Sequence, residues 1–200
     1  MIINECWRGV KNVRVTVGIT GGSGAIYALA LLRLLRQHGV ETCLVASAMG
    51  AAVMEHECGV TLDELRISCD TFFDNEDLGA AIASGSFRSN GMVIVPCSMK
   101  TLAKVAGGIS DSLLTRAADV CLKERRCLVL VVRETPYSAI HLENMLRLSR
   151  TGAVILPASP AFYNHPQDIA DIVRFMAGKI MDQLGIENNV CQRWNGEMRV

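Results

Sequence analysis

The sequence predicts a single doubly wound α/β domain built on a mainly parallel sheet, and three observations predict it. Short β-branched runs alternate with longer stretches of helical periodicity, the order that lays helices on both faces of a parallel sheet. The strand runs are apolar almost throughout rather than alternating, as strands covered on both faces are. Two hundred residues, half of them hydrophobic, supply one domain with a sizeable core and leave little for a second.

The expected organisation is an N-terminal extension over 1–12, the α/β domain over 13–187 and a C-terminal tail over 188–200. Within the domain the first strand is Val13 to Ile19. The helix Ala25 to Gln37 follows, because Ile26, Leu29, Leu32 and Leu35 repeat at helical spacing and His38-Gly39 closes it. Thr42 to Ala46 is the second strand, Ser68 to Phe73 a weaker one, and Met92 to Val95 the next. Asp111 to Arg126 reads as a helix with Asp111 as N-cap and basic residues gathered at its end. Cys127 to Val132 and Ala153 to Leu156 are further strands, separated by a helix from Ser138 to Arg150. The last helix runs from Gln167 to Leu184, just after Pro166. Asp74 to Asn90, rich in Gly, Ala and Ser without a period, is the candidate for a mobile loop over a site. The pattern is of the Rossmann or flavodoxin-like class.

Acidic and basic side chains balance at a formal charge of zero, which gives no electrostatic footprint for nucleic acid or an anionic membrane. The longest apolar runs, such as Cys127 to Val132, fall far short of the ~20 residues that cross a bilayer. Met1 to Asn12 has no apolar core of a secretory signal, so the cytoplasm is the expected location. The eight cysteines form no C-x-x-C pair and read as reduced, mostly buried thiols. No metal site is expected, and no D-D-x-x-D occurs to hold magnesium on a diphosphate.

The chemistry concentrates at Thr20-Gly21-Gly22-Ser23-Gly24-Ala25, where a buried strand runs straight into a helix. A helix start presents unpaired N–H groups and the positive end of the dipole, glycines let a phosphate approach the backbone, and Thr20 and Ser23 add hydroxyls. There is no G-x-x-x-x-G-K-[ST], so an ATP-type loop is not expected. Tyr27 stands where a dinucleotide fingerprint wants Gly or Ala, and Val45-Ala46-Ser47 carries no carboxylate for an adenosine ribose. A mononucleotide such as FMN, with its phosphate at the glycine turn, fits better. Other strand ends add Ser47, Cys97-Ser98-Met99-Lys100-Thr101, Arg133-Glu134 and Ser159 to Tyr163, at the edge where doubly wound folds bind ligands. Cys97 reads as a buried thiol rather than a nucleophile, and His141 as a helix hydrogen-bonder.

The chain resembles the UbiX-like flavin prenyltransferases along almost its whole length. The resemblance rests on Thr20 to Ala25, Ser84-Gly85-Ser86-Phe87, Pro96 to Leu102, Arg116-Ala117-Ala118-Asp119-Val120, Lys123-Glu124-Arg125-Arg126, Arg133-Glu134-Thr135-Pro136, His141 to Met145 and Pro160 to Pro166. It implies alkylation of reduced FMN by dimethylallyl phosphate at N5, closure at C6, and prenylated FMN as a product handed to a UbiD-type decarboxylase. By the same resemblance Gly21, Gly22, Ser23, Ser47, Ser98, Met99, Lys100, Thr101 and Arg133 hold FMN. Arg116, Tyr163 and Lys179 grip the prenyl phosphate with Lys123 and Glu134. Glu57 is the proton-transfer carboxylate, Ser23 a relay, and Trp194 an aromatic wall. A large homo-oligomer such as a dodecamer is implied as well.

Each of these residues has a plainer reading. Glu57, near the end of a helical stretch with Glu55 close by, reads equally as a solvated acidic face, and Lys123 as a solvated helix end. Two departures from the family stand out: Lys179 replaces a frequent arginine, exchanging a bidentate fork for a point charge, and Leu78 stands where some members carry an aromatic. Two other functions compete, a flavin-dependent decarboxylase of the cysteine-decarboxylase group and a non-enzymatic flavin carrier. The former relies on a histidine before the third strand, and Asp74 to Asn90 has none.

Overall fold

The computed structural model describes residues 13–191 with Arg193, Trp194 and Gly196; the expected extension over 1–12 and part of the expected tail lie outside the described residues. The strands are β1 (Arg14–Ile19), β2 (Glu41–Ala46), β3 (Thr71–Phe73), β4 (Gly91–Cys97), β5 (Cys127–Val132) and β6 (Val154–Ile155). They form one six-stranded sheet in the order β3-β2-β1-β4-β5-β6, and every pairing is parallel. The fold class is the one the sequence predicts.

Alternate residues of each buried strand feed opposite layers, as the two-residue period requires. Val15, Val17, Val93, Val95, Val129 and Val131 face the layer formed with α1 (Ala25–Gln37) and α7 (Ile169–Gln183). Met92, Ile94, Leu128, Leu130 and Val132 face the layer of α4 (Met99–Gly107), α5 (Leu113–Lys123) and α6 (Ala139–Arg150). Leu31, Leu35, Leu102 and Leu113 are fully buried, and side chains of this size contribute about 1.5–3 kcal/mol each when removed from water.

Several expected boundaries shift. β4 extends through Pro96 to Cys97; proline is usually confined to sheet edges or bulges, and here it lies at the irregularity where the register with β5 shifts between Ile94 and Cys97. Asp111 is not the cap of α5: Ser112 is, in a capping box with Thr115, while Asp111 pairs with Lys104 at 2.6 Å. A hydroxyl held by the N3 residue outcompetes a carboxylate already engaged elsewhere. The last helix starts at Ile169 behind Asp168, whose side chain accepts from Asp171 N.

Two short helices, α2 (Ala48–Cys58) and α3 (Leu62–Ile67), and α4 have no place in the sequence reading beyond the helical stretch noted at Glu57. α2 is poor in periodic apolar residues and buries only Gly50 and Met54, so its pattern is faint. Asp74 to Asn90 is largely without regular secondary structure. It connects the carboxyl end of β3 to the amino end of β4, descending beside α5 through a 3-10 turn at Ala81–Ala83. Asn75 accepts from Leu113 N and Leu114 N at its top; Arg126 donates to Gly85 O and, at 2.7 Å, to Phe87 O at its foot. Among the described residues no helix is long and apolar enough to cross a membrane.

Candidate active site

Successive strands are added outward on one side from β1 to β3 and on the other from β4 to β6, so the loops leaving the parallel neighbours β1 and β4 splay apart into the crevice that open α/β sheets use for ligands. Three helix starts surround it: α1 behind Gly24, α2 behind Ser47 and α4 behind Ser98. Thr20 fastens its two sides. The Thr20 hydroxyl donates to Pro96 O at 2.7 Å and accepts from Ser98 N at 2.8 Å, and the residue is 1 % exposed. The hydroxyl expected to meet a phosphate is therefore consumed in joining the β1 and β4 loops.

The first-turn amides of α1 have a different partner from the expected phosphate. Glu57 Oε2 accepts from Gly24 N at 2.8 Å and Ala25 N at 2.9 Å, so a carboxylate from the last turn of α2 occupies the positive end of the α1 dipole. Gly24 caps α1 with φ of 101°, a left-handed conformation that favours glycine. Gly50 makes the approach of α2 feasible: a Cβ there would stand 2.5 Å from Ile19 O. Gly50 and Glu57 are seven residues apart, two helical turns, and share a face. Sequence reading missed Gly50 because nothing in a faint helix marks one glycine as a contact point.

Burial by itself would raise the Glu57 carboxyl, but hydrogen bonds from Ser23, Ala25 and Gly24 and the nearby Arg133 charge outweigh it and hold the group below the ordinary carboxylate range. Glu57 is thus ionised, with Ser23 on it, and is not a free solvated face. Tyr27, four residues from Ser23, is raised mainly by burial, with the Arg133 charge opposing. The field of Arg133, at the end of β5, thus reaches across β4 to the glycine turn.

The remaining expected FMN contacts gather here. Ser47 and Ser98 cap their helices by accepting from Gly50 N and Thr101 N. An α-helix leaves its first amides without intrahelical partners, and at the start of α4 those belong to Met99 and Lys100. The backbone at Gly21 is tight against Met49, whose Cβ would lie 2.8 Å from a Cβ at that position. Fixed hydroxyls, two helix starts, exposed Lys100 and Arg133 and side-chain-free backbone at Gly21 and Gly22 fit a phosphorylated planar ligand.

The residues expected on the prenyl phosphate are spread over the protomer. Tyr163 packs edge-on against Phe175 and Trp194, with ring centroids 6.2 and 5.5 Å away. Lys179, one turn beyond Phe175 on α7, stands 3.9 Å from Asp182. Glu134 follows β5 beside Arg133 and accepts from Thr135 N at 3.0 Å. Arg116 donates to Ala83 O at 3.1 Å and pairs with Asp119 at 2.7 Å. Lys123 pairs with Glu124 beside Gly85, at the end of α5 that feeds the start of β5. That is the opposite edge of the sheet from Glu57, so a single protomer does not bring Lys123 to the glycine turn.

Cys97 is fully buried and its thiol is pushed up to about 12 by burial, which removes it as a nucleophile at neutral pH. His141 serves the capping box of α6, accepting from Ser138 N through Nδ1 at 3.2 Å. Among the described residues no three His, Cys, Asp or Glu side chains cluster to hold a metal ion.

Comparison with known proteins finds relatives over nearly the whole chain. A curated relative from Lactiplantibacillus plantarum, flavin prenyltransferase LpdB, is 52% identical over 185 residues, covering 92% of this chain and 99% of its own. The crystal structure of AnUbiX (PadA1), determined with FMN and dimethylallyl pyrophosphate, superposes with a TM-score of 0.92 at 44% identity, over 94% of this chain and all of that one. A dodecameric FMN-dependent Ubix-like decarboxylase from Escherichia coli gives a TM-score of 0.90 at 47% identity, over 92% of this chain and all of that one. Residues 5–181 match the family model described as Flavoprotein, and the chain belongs to that family, among its UbiX-like flavin prenyltransferases.

Proposed function

We propose that this flavin prenyltransferase joins the dimethylallyl group of dimethylallyl phosphate to N5 and then C6 of reduced FMN, and that a UbiD-type decarboxylase receives the prenylated FMN. The observation that carries the reading is the ionised Glu57 carboxylate, fixed by Ser23, Gly24 and Ala25 at the crevice between β1 and β4. Ring closure at C6 releases a proton, and a carboxylate held in its charged form is the base that takes it. Because Glu57 occupies the start of α1, the FMN phosphate is assigned to the starts of α4 and α2, with Ser98, Met99, Lys100, Thr101 and Ser47 around it. Gly21, Gly22 and Ser23 then line the flavin, and Arg133 balances its charge.

The allylic C–O bond breaks with its electron pair on the departing phosphate, which calls for cations and hydroxyls on that phosphate and exclusion of water from the allyl fragment. Tyr163 and Lys179 supply the first, and Trp194 beside Tyr163 the second. Arg116 and Glu134 assist at that phosphate, and Lys123 joins from a neighbouring subunit, since it lies at the wrong edge of its own sheet; the dodecameric relative supports such an assembly. Among the described residues every cysteine is free, which suits reduced flavin and a cytoplasmic setting.

The test is anaerobic incubation of the protein with reduced FMN and dimethylallyl phosphate, followed by mass spectrometry of the flavin. A gain of one dimethylallyl unit is expected, and a parallel reaction with the pyrophosphate shows which donor Lys179 accepts. An unchanged flavin mass with both donors overturns the proposal. A carrier would bind FMN and stop there. A direct decarboxylase would release carbon dioxide from an aromatic or cysteinyl acid without a second protein.

A further inference from the structure

Phe175, Lys179 and Asp182 lie at positions i, i+4 and i+7 of α7 and therefore share one stripe of the helix. The chain beyond the helix turns back over this stripe. Asn188 donates to Asp182 Oδ1 at 3.0 Å, and Arg193 donates to both carboxylate oxygens, at 2.8 and 3.3 Å. Arg193 also donates to Asn188 O at 3.1 Å, and Val190 N donates to the Asn188 side chain at 3.4 Å. The next residue, Trp194, lies on Tyr163, which in turn lies on Phe175. One carboxylate thus holds the returning chain at the point where it meets the aromatic cluster, and also stands 3.9 Å from Lys179 Nζ.

We infer that Asp182 is a positioning residue: by clamping Arg193 it straps Trp194 over Tyr163, and by keeping a second cation it leaves Lys179 free to turn to the donor's phosphate. The charge arithmetic supports the second role. Lys179 at 3.9 Å is at the limit of ion pairing, whereas Arg193 makes a bidentate fork. When Lys179 swings to an anion, Asp182 stays neutralised by Arg193 and no unpaired carboxylate is left to draw the lysine back. Asp182 faces Lys179 from its own helix and Arg193 and Asn188 from the strap. Its side chain is 22% exposed against 60% for Arg193, so the clamp is rooted on the helix.

The strap itself is tested without donor, and its kinetic consequence rests on the proposed function. In a Trp7→Phe background Trp194 is the one tryptophan, so its emission and acrylamide quenching report the strap alone. Asp182→Asn and Arg193→Gln are each expected to make Trp194 more accessible to quencher and to raise the KM for dimethylallyl phosphate roughly threefold to fivefold, the scale of a partly exposed ion pair. FMN affinity and kcat stay nearly unchanged, and Asp182→Glu recovers most of the loss. Unaltered quenching in both variants overturns the clamp. Altered quenching with an unaltered KM overturns the link to the donor. If no donor reacts even with the parent protein, the function proposed above fails, while the quenching still decides the strap.

Discussion

Gly50→Ala is the substitution whose effect follows most directly from the packing of α2 on the end of β1. The added Cβ would stand 2.5 Å from Ile19 O, 2.8 Å from Ile19 C and 3.1 Å from Thr20 Cα, all backbone atoms that no rotamer change can move. Ile19 O is further pinned because it accepts from Ser47 N at 2.9 Å. Since carbon contacts are comfortable at ~3.5 Å, α2 must retreat by roughly 1 Å. Overpacking of this kind costs about 1–3 kcal/mol, which in a domain of this size lowers Tm by about 3–10 °C. The same retreat pulls Glu57 away from Gly24 N and Ala25 N, whose bonds of 2.8 and 2.9 Å would pass the limit of ~3.5 Å and weaken steeply. Thermal unfolding followed by circular dichroism measures the first effect, and single-turnover prenyl transfer the second. Gly107→Ala is the control: its Cβ would meet only the Ile109 side chain at 3.5 Å, so the helix gains up to ~1 kcal/mol in propensity. A Gly50→Ala protein with unchanged Tm and turnover would refute the argument, as would equal destabilisation by Gly107→Ala.

Two further predictions address the same crevice. Glu57→Gln keeps the side chain's size but removes the base, so FMN binding by fluorescence titration should persist while transfer falls by about 10²–10⁴-fold. The carboxyl is held below its ordinary value of 4.5, so its stabilising contribution is complete above that value and is lost as pH falls through the lower folded-state value. The parent's acid unfolding curve should accordingly show a component below pH 4.5 that Glu57→Gln lacks; identical curves would count against it. Thr20→Val leaves Ser98 N without its acceptor in a buried position, at a cost of about 1–3 kcal/mol. Urea unfolding should show that loss together with weakened FMN binding, because the start of α4 is no longer tied to β1.

Of the site, what was readable in advance was chemistry, and what was not was direction. The glycine turn, the hydroxyls after β2 and β4 and the Arg133-Glu134 pair announce an anionic ligand from residue type and strand context alone. Glu57 illustrates the limit. Its neighbours in the chain mark it equally as a solvated charge, and only the packing of α2 against the end of β1 turns it onto the amides of α1. Thr20 shows the converse: a hydroxyl in a phosphate-loop context reads as a ligand contact until the adjacency of β1 and β4 gives it two backbone partners. The clamp at Asp182 was invisible because its partners, Asn188 and Arg193, follow a helix end whose return path no local pattern encodes.

The sequence by itself determined the architecture, because strands buried on both faces must be apolar throughout and the helices between them must carry one apolar stripe, signals written in consecutive residues. It pointed to an anionic ligand through residue types, the hydroxyls and cations that follow several strands, although the amides at the glycine turn itself are taken by Glu57. Tertiary structure alone decided which helix start receives a ligand and which is filled by Glu57, and which edge of the sheet Lys123 occupies. Those outcomes depend on distances between segments far apart in the chain, such as the 2.5 Å that separates a Cβ at position 50 from Ile19 O. No local propensity carries such a distance; it exists only once the sheet has set its strand order.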